Sequence, residues 1–187
     1  MSDNFAGPLR ELAATAERIA KEMGPSLDKA LAMVRETVRR GGTLYFCGNG
    51  GSAADAQHIA TEYVVRYMRS RRPYPAIALT TDTSLLTAAA NDLGFEQVFA
   101  RQVEALAKPG DLLVIHTTSG NSPNLLRAAE VARAKGVQVL ALSAKDGGKL
   151  KSIATHSVIV PTDRTDRAQE LQLCIQHVIC DVVEREL

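Results

Sequence analysis

Tryptophan is absent from this 187-residue chain, and aromatic residues make up only 4% of it. Too few rings are present for a base-stacking platform or an aromatic ligand cage. Cysteine is scarce and odd in number: Cys47, Cys174 and Cys180, with no C-x-x-C spacing. All three sit in apolar company, which favours buried free thiols over a disulfide or zinc knuckle and points to a reducing cytoplasm. No apolar run approaches the ~20 residues of a membrane span. The opening Met1-Ser2-Asp3-Asn4 has neither a basic stretch nor an apolar one, as a secretory leader would. Charge is nearly balanced at a formal +1, with 23% charged residues, so no nucleic-acid surface is expected. The short run Arg69-Ser70-Arg71-Arg72 reads as a solvated helix end before Pro73, where cations are favoured.

What the chain does have is alternation. The first forty residues are helical in pattern: one helix over about 9–23 stops at Gly24-Pro25, and a second closes at Gly41-Gly42. In that second helix Leu27, Leu31, Val34 and Val38 recur at the helical period. Apolar runs near 43–47, 76–79, 111–116, 137–142 and 157–160 then alternate with helix-length segments. Near-continuous apolar strands are what a parallel sheet covered on both faces requires. A last helix spans about 166–186, with Leu171, Ile175, Val178 and Val182 on one face. The expected fold is a single α/β domain: 41–187 forms the sheet unit, and 1–40 adds helices packed on the same domain, outside the sheet unit, that serve oligomerisation.

Two loops concentrate the chemistry. Cys47-Gly48-Asn49-Gly50-Gly51-Ser52 and Thr117-Thr118-Ser119-Gly120-Asn121-Ser122 each follow a strand-like run and open a helix. Glycine permits the tight turn, and N–H groups at a helix start face an incoming anion. Hydroxyls add further donors, so two such loops at the ends of two parallel strands point to a sugar-phosphate site. Asn91-Asp92-Leu93-Gly94 falls at a third such end. Gly48 to Ala53 also matches the dinucleotide fingerprint, but the acidic residue that would hold a ribose arrives late, at Asp82. No lysine completes a nucleoside-triphosphate loop. Downstream, His58 and Glu62 stand one helical turn apart on one face. His177 borders the apolar face of the last helix, and Gln169 lies about 12 Å earlier along it. Those two can meet at one ion only if Gln169 lies at a frayed helix start or they come from different subunits. His116, beside the second loop, reads as structural.

These residues resemble the sugar isomerase (SIS) fold, and closely resemble the bacterial phosphoheptose isomerases, from about Gly41 to Glu184. The likeness rests on Cys47 to Ser52, Ala56-Gln57-His58 with Glu62 and Arg66, and Arg72-Pro73 through Ala78. It continues through Asn91-Asp92, Thr118 to Ser122, Asp146-Gly147-Gly148, and Asp166 to Glu170 with His177. The resemblance implies a three-layer α-β-α sandwich on a five-stranded parallel sheet, and a homotetramer with active sites between subunits. It implies substrate contacts at Asn49, Gly50, Gly51, Ser52, Glu62, Arg66, Asn91, Asp92, Thr117, Thr118, Ser119, Ser122, Asp166 and Gln169. It further implies one zinc ion, with His58, Glu62, Gln169 and His177 as ligands. Thr117 stands where relatives usually carry serine; the hydroxyl survives.

The activity implied is the aldose–ketose interconversion of D-sedoheptulose 7-phosphate and D-glycero-D-manno-heptose 7-phosphate, feeding lipopolysaccharide or another heptose-containing glycan. In that reading Glu62 is the base that moves a proton between C1 and C2 through an enediol, and His177 is the acid at the oxygens. A glutamate committed to zinc is a poorer base, which sets those two roles of Glu62 against each other. A different class of relative binds the replication initiator DnaA without turnover. It lacks the acid matching Glu62 and the histidine matching His177, and both stand here. Another SIS enzyme, acting on a hexose or amino-sugar phosphate, shares the phosphate loops but not the His58/Glu62/His177 set.

Overall fold

Residues 3–187 are described by a computed structural model of the chain. The order is α1 (Asp3–Glu22), α2 (Gly24–Arg39), β1 (Leu44–Cys47), α3 (Gly51–Val64) and β2 (Ala76–Ala78). Then come α4 (Thr83–Leu93), a 3-10 turn (Phe95–Gln97), α5 (Ala100–Leu106), β3 (Leu112–His116) and α6 (Pro123–Ala134). β4 (Gln138–Ala144), the single turn α7 (Leu150–Ile153), β5 (His156–Val160) and α8 (Thr165–Glu186) complete the chain.

The five strands form one parallel sheet in the order β2-β1-β3-β4-β5. Every residue of β1 and β3 is buried, as strands covered on both faces must be. Side chains alternate between two cores. Leu44, Phe46, Leu112, Val114, Leu140 and Leu142 face α2, α3 and α8. Tyr45, Cys47, Leu113, Ile115, Val139 and Ala141 face the opposite layer, which contains α5 and α6. The three-layer sandwich read from the sequence is therefore present.

The strand order reverses at β1, because the chain moves outward to β2 and then returns to the other side as β3. The crevice between the carboxyl ends of β1 and β3 is the position where open α/β sheets bind ligands. Both glycine–hydroxyl loops leave the sheet there.

Three local expectations need correction. α1 runs through Pro8 to Asp3 instead of starting near Leu9. Proline there removes only one backbone bond near an exposed helix start. α2 is not outside the sheet unit: Met33, Val34 and Val38 pack into the core over β1, β3 and β5. Helix α3 ends at Val64, so Arg69 to Arg72 belong to the connection to β2, not to a helix end.

Candidate active site

The cleft at the β1/β3 crevice has a volume of about 260 Å³. Asn49, Gly50, Gly51 and Ser52 line one side, Thr117, Thr118, Ser119 and Ser122 the other, with Thr165 and Gln169 closing it from α8. Three helices, α3, α6 and α8, begin at this cleft. In none of them does the N-cap side chain bond into the first turn. The Ser52, Ala53 and Leu125 N–H groups turn back to the Asn49, Gly50 and Ser122 carbonyls, and the remaining first-turn N–H groups are those that can face an anion. No lysine or arginine lines the cleft. Charge on a bound phosphate would be met by helix dipoles, N–H groups and hydroxyls.

The cradle is held by contacts that only these residues permit. Asn49 and Asn124 exchange reciprocal amide hydrogen bonds of 3.0 and 2.8 Å, which tie the first loop to α6. The Gly120 N–H donates to Thr117 Oγ1 at 3.2 Å, so the threonine hydroxyl also shapes its own loop. A Cβ on Gly51 would lie 2.7 Å from Gln169 Nε2, so the Gln169 amide is packed directly on the start of α3 and would have to move aside for any side chain there. Beneath the cleft the Gln172 amide donates to the Thr117 carbonyl at 2.8 Å. Gln176 Nε2 lies 3.1 Å from His116 Nε2. Burial lowers the His116 imidazole to about 4, against a smaller opposing contribution from the Ser52 backbone. His116 is thus a neutral structural group, as its position suggested.

A second cluster lies further along the same two helices. His58 and Glu62 on α3 meet His177 on α8, with one ligand-type atom from each within 4.8 Å of the others. His58 Nε2 stands 3.2 Å from Glu62 Oε1 and 3.0 Å from His177 Nε2. The Tyr67 ring stacks on His177, with centroids 5.2 Å apart and planes inclined by 14°. Burial lowers the proton affinity of His177; a charge on His58 adds to this, and Glu62 opposes it. A single ring nitrogen of His58 faces both partners, and it carries at most one hydrogen. A shared cation satisfies all three at once. The separations are also close to the edge of a tetrahedron, about 3.3 Å for ligand atoms ~2.0–2.1 Å from zinc. The three residues therefore fit a zinc site. Gln169 lines the cleft, about two turns before His177 on α8.

A family profile for the SIS domain matches residues 9–144. A phosphoheptose isomerase of Geobacter sp. (strain M21) is 49% identical over 187 residues, covering 100% of this chain and 97% of that protein. The phosphoheptose isomerase GmhA of Neisseria gonorrhoeae superposes with a TM-score of 0.91 at 38% identity, covering 98% of both chains. One from Francisella tularensis superposes with a TM-score of 0.94 at 33% identity over the full length of each. The chain belongs to the phosphoheptose isomerase family of SIS-domain proteins.

Membership sets the remaining candidate residues of this SIS domain in context. Asn91 and Asp92 are exposed at the end of α4, hydrogen-bonded to each other at 2.7 Å, and neither lines the cleft. Arg66 is exposed just beyond α3. Asp166 is exposed and grips Arg164 with two hydrogen bonds; that contact first, with the Arg167 backbone, lowers its carboxyl to about 2. None of these four lines the cleft. Cys47 and Cys180 are buried as expected, but Cys174 is exposed, one turn before His177. Val178, assigned by its spacing to the apolar face, is 59% exposed beside that histidine. Tyr67 and Asn124 were not singled out by the sequence. A tyrosine in a basic loop and an asparagine inside a helix carry no periodic or motif signal.

Proposed function

We propose that this protein interconverts D-sedoheptulose 7-phosphate and D-glycero-D-manno-heptose 7-phosphate, supplying heptose for a bacterial glycan such as lipopolysaccharide. One observation carries the proposal: an uncapped three-helix phosphate cradle and an acid–base cluster share the same two helices, α3 and α8. The rise from Gly51 to His58 is about 10 Å, and α-helical side chains tilt toward the helix start. That spacing suits a long sugar phosphate held at one end and reacted at the other. Its relatives' names, phosphoheptose isomerase, agree with this assignment.

In this reading the phosphate seats on the first turns of α3, α6 and α8 and the hydroxyls of Ser52, Thr117, Thr118, Ser119 and Ser122. Binding energy spent there orients the far end of the sugar. Glu62, 20% exposed on its side chain, removes the proton from the carbon beside the carbonyl and returns it to the neighbouring carbon. His177 exchanges protons at the two oxygens; its lowered proton affinity lets it give up a proton readily. His58 holds Glu62 and His177 in register. Zinc would be held by His58, Glu62 and His177 and would polarise the substrate oxygens; an atom that ligates the ion cannot carry the proton at the same moment, so ligation and proton transfer compete at Glu62 and His177.

Assembly belongs to the same proposal. Arg66, Asn91 and Asp92 stand away from the cleft of their own chain, while Val64, Val65, Met68 and Val178 expose apolar surface around the acid–base cluster. A homotetramer covers that surface and brings those polar residues to a neighbouring subunit's substrate. Among the described residues no helix is long and apolar enough to cross a membrane.

The test is the fate of C1 and C2 of sedoheptulose 7-phosphate, followed by carbon NMR with wild type and Glu62→Gln. Aldose signals are expected from wild type, with turnover reduced by about 10²–10⁴-fold in the variant. Equal turnover by the variant removes Glu62 from its role. Binding without turnover by zinc-loaded wild type replaces the isomerase with a sugar-phosphate-binding regulator.

A further inference from the structure

The connection between α3 and β2 is organised around one buried carboxylate. Glu184, in the last turn of α8, has a side chain only 1% exposed. Its Oε1 accepts from the Tyr67 N–H at 2.9 Å, and its Oε2 accepts from the Met68 and Arg69 N–H groups, both at 2.7 Å. Arg71 Nε stands 3.2 Å from Oε1. Burial raises the carboxyl's proton affinity, but the three N–H groups and Arg71 outweigh it and hold Glu184 ionised. Three successive N–H donors closing on one carboxylate fix a backbone segment that has no regular structure of its own.

That segment reaches the acid–base cluster by two routes. Tyr67, whose N–H Glu184 holds, lays its ring flat on His177. Arg71, which Glu184 pairs with, donates to the Glu62 carbonyl at 2.6 Å and to the Tyr63 carbonyl at 2.8 Å, closing the end of α3. The Tyr74 ring lies 4.2 Å beneath its guanidinium. His177, Asp181 and Glu184 lie on one stripe of α8, and Asp181 adds a 2.9 Å ion pair to Arg69. The stripe that carries His177 thus also grips the loop that covers it.

We propose that Glu184 is a positioning residue: its carboxylate clamps residues 67–71 so that Tyr67 fixes the His177 ring while Arg71 fixes the helical turn bearing Glu62. The proposal rests on the isomerase reading for its kinetic consequence, but its structural half does not. Glu184 touches no reacting atom, and its effect passes through Tyr67 and Arg71. The clamp lies at the opposite end of α3 from the phosphate cradle, so ground-state binding of the phosphate should not depend on it.

Glu184→Gln in the full-length protein is the decisive variant, since it keeps size but supplies one acceptor oxygen where two are used. We expect kcat to fall on the order of 10- to 100-fold, the usual cost of a small displacement of reacting groups. KM should stay within about twofold, because the phosphate contacts that orient the substrate are untouched. In histidine-labelled protein the ring protons of His177, assigned by His177→Asn, should lose the upfield displacement that the stacked Tyr67 ring imposes. Tyr67→Ala leaves Glu184 and its backbone contacts in place, and should reproduce the kcat loss; it decides the matter if Glu184→Gln fails to fold. A folded Glu184→Gln with wild-type kcat and an unshifted His177 signal overturns the proposal, as does full activity in Tyr67→Ala. If wild type proves inactive on the heptose phosphate, the isomerase reading fails, and the His177 signal still tests the clamp.

Discussion

Gly120→Ala probes the architecture of the phosphate cradle most directly. Gly120 has φ +65°, in the left-handed region, and a Cβ there would overlap the Gly147 carbonyl oxygen. It would also lie 2.6 Å from the Gly147 carbonyl carbon and 3.1 Å from the Gly148 nitrogen. The opposing loop is equally bare: a Cβ on Gly148 would sit 2.7 Å from the Gly120 carbonyl carbon. Backbone presses on backbone, so no side chain can swing aside. Left-handed geometry costs alanine about 1–2 kcal/mol. Carbon–carbon contact is comfortable near ~3.5 Å, so the loops must part by about 1 Å. Such overpacking adds about 1–3 kcal/mol. The sum is about 2–5 kcal/mol, or a Tm lower by roughly 5–15 °C for a chain of this size.

The displaced segment also carries Ser119 and Ser122. Losing one hydrogen bond to a charged phosphate is worth about 1.5–3 kcal/mol, so KM for the sugar phosphate should rise by at least ~10-fold. Gly110→Ala is the control, because Gly110 has φ +98° with nothing within 4 Å of a Cβ. It should lose only the conformational part and leave KM unchanged. Differential scanning calorimetry and initial rates on both variants give the comparison. Equal Tm values and equal KM values for the two would refute the loop-on-loop account.

Two further outcomes concern the sheet beneath. Leu113 is fully buried in β3, the central strand of the sheet, paired with Tyr45 on one side and Val139 on the other. Leu113→Ala should cost about 2–5 kcal/mol in urea unfolding, and a loss below about 1 kcal/mol would contradict the packing described. His116 predicts a pH dependence. Its proton affinity is lowered on folding from 6.5 to about 4, so the unfolded chain takes up the proton first as the pH falls. The associated stability is complete above about 6.5 and is lost progressively toward about 4, on the order of 3 kcal/mol. His116→Gln should flatten that slope in urea midpoints between pH 7 and pH 5; an unchanged slope would assign acid sensitivity to other groups.

The sheet and the cradle were legible in the sequence because each depends on local rules. A strand buried on both faces must be apolar throughout, and Leu112 to Ile115 is. A tight turn into a helix must be small and polar, as Gly48 to Ser52 is. The helical rise also sets Gln169 about 12 Å before His177, and Gln169 lines the cleft. Arg71 was not legible. Its neighbours Arg69, Ser70 and Arg72 are exposed or half-exposed, and nothing in that short run marks the one guanidinium that turns inward. Its partner Glu184 lies in the last turn of α8, where an acid usually reads as surface. Pairing between residues so distant in the chain is decided by how α8 lies against α3, and neither period nor spacing records it. Exposure of Cys174 and Val178 has the same origin, since their apolar stripe extends past the edge of their own chain's core.

The division of labour follows from α3 and α8 lying side by side with their N-termini at the same crevice. Their first turns offer N–H groups to an anion; their later turns carry His58, Glu62 and His177. Ala56, Ile59, Ala60, Leu171, Ile175 and Ile179 hold both helices in one buried core, which fixes the spacing between their two ends in this structure. Anchoring and chemistry are therefore joined by a fixed spacer rather than by a mobile loop. Near the acid–base end the connection 65–75 lacks regular structure, and Glu184 holds its residues 67–69 from the far side. In the proposed reaction the helices would set where the substrate's reacting carbons fall, and the clamped loop would set how His177 is oriented toward them.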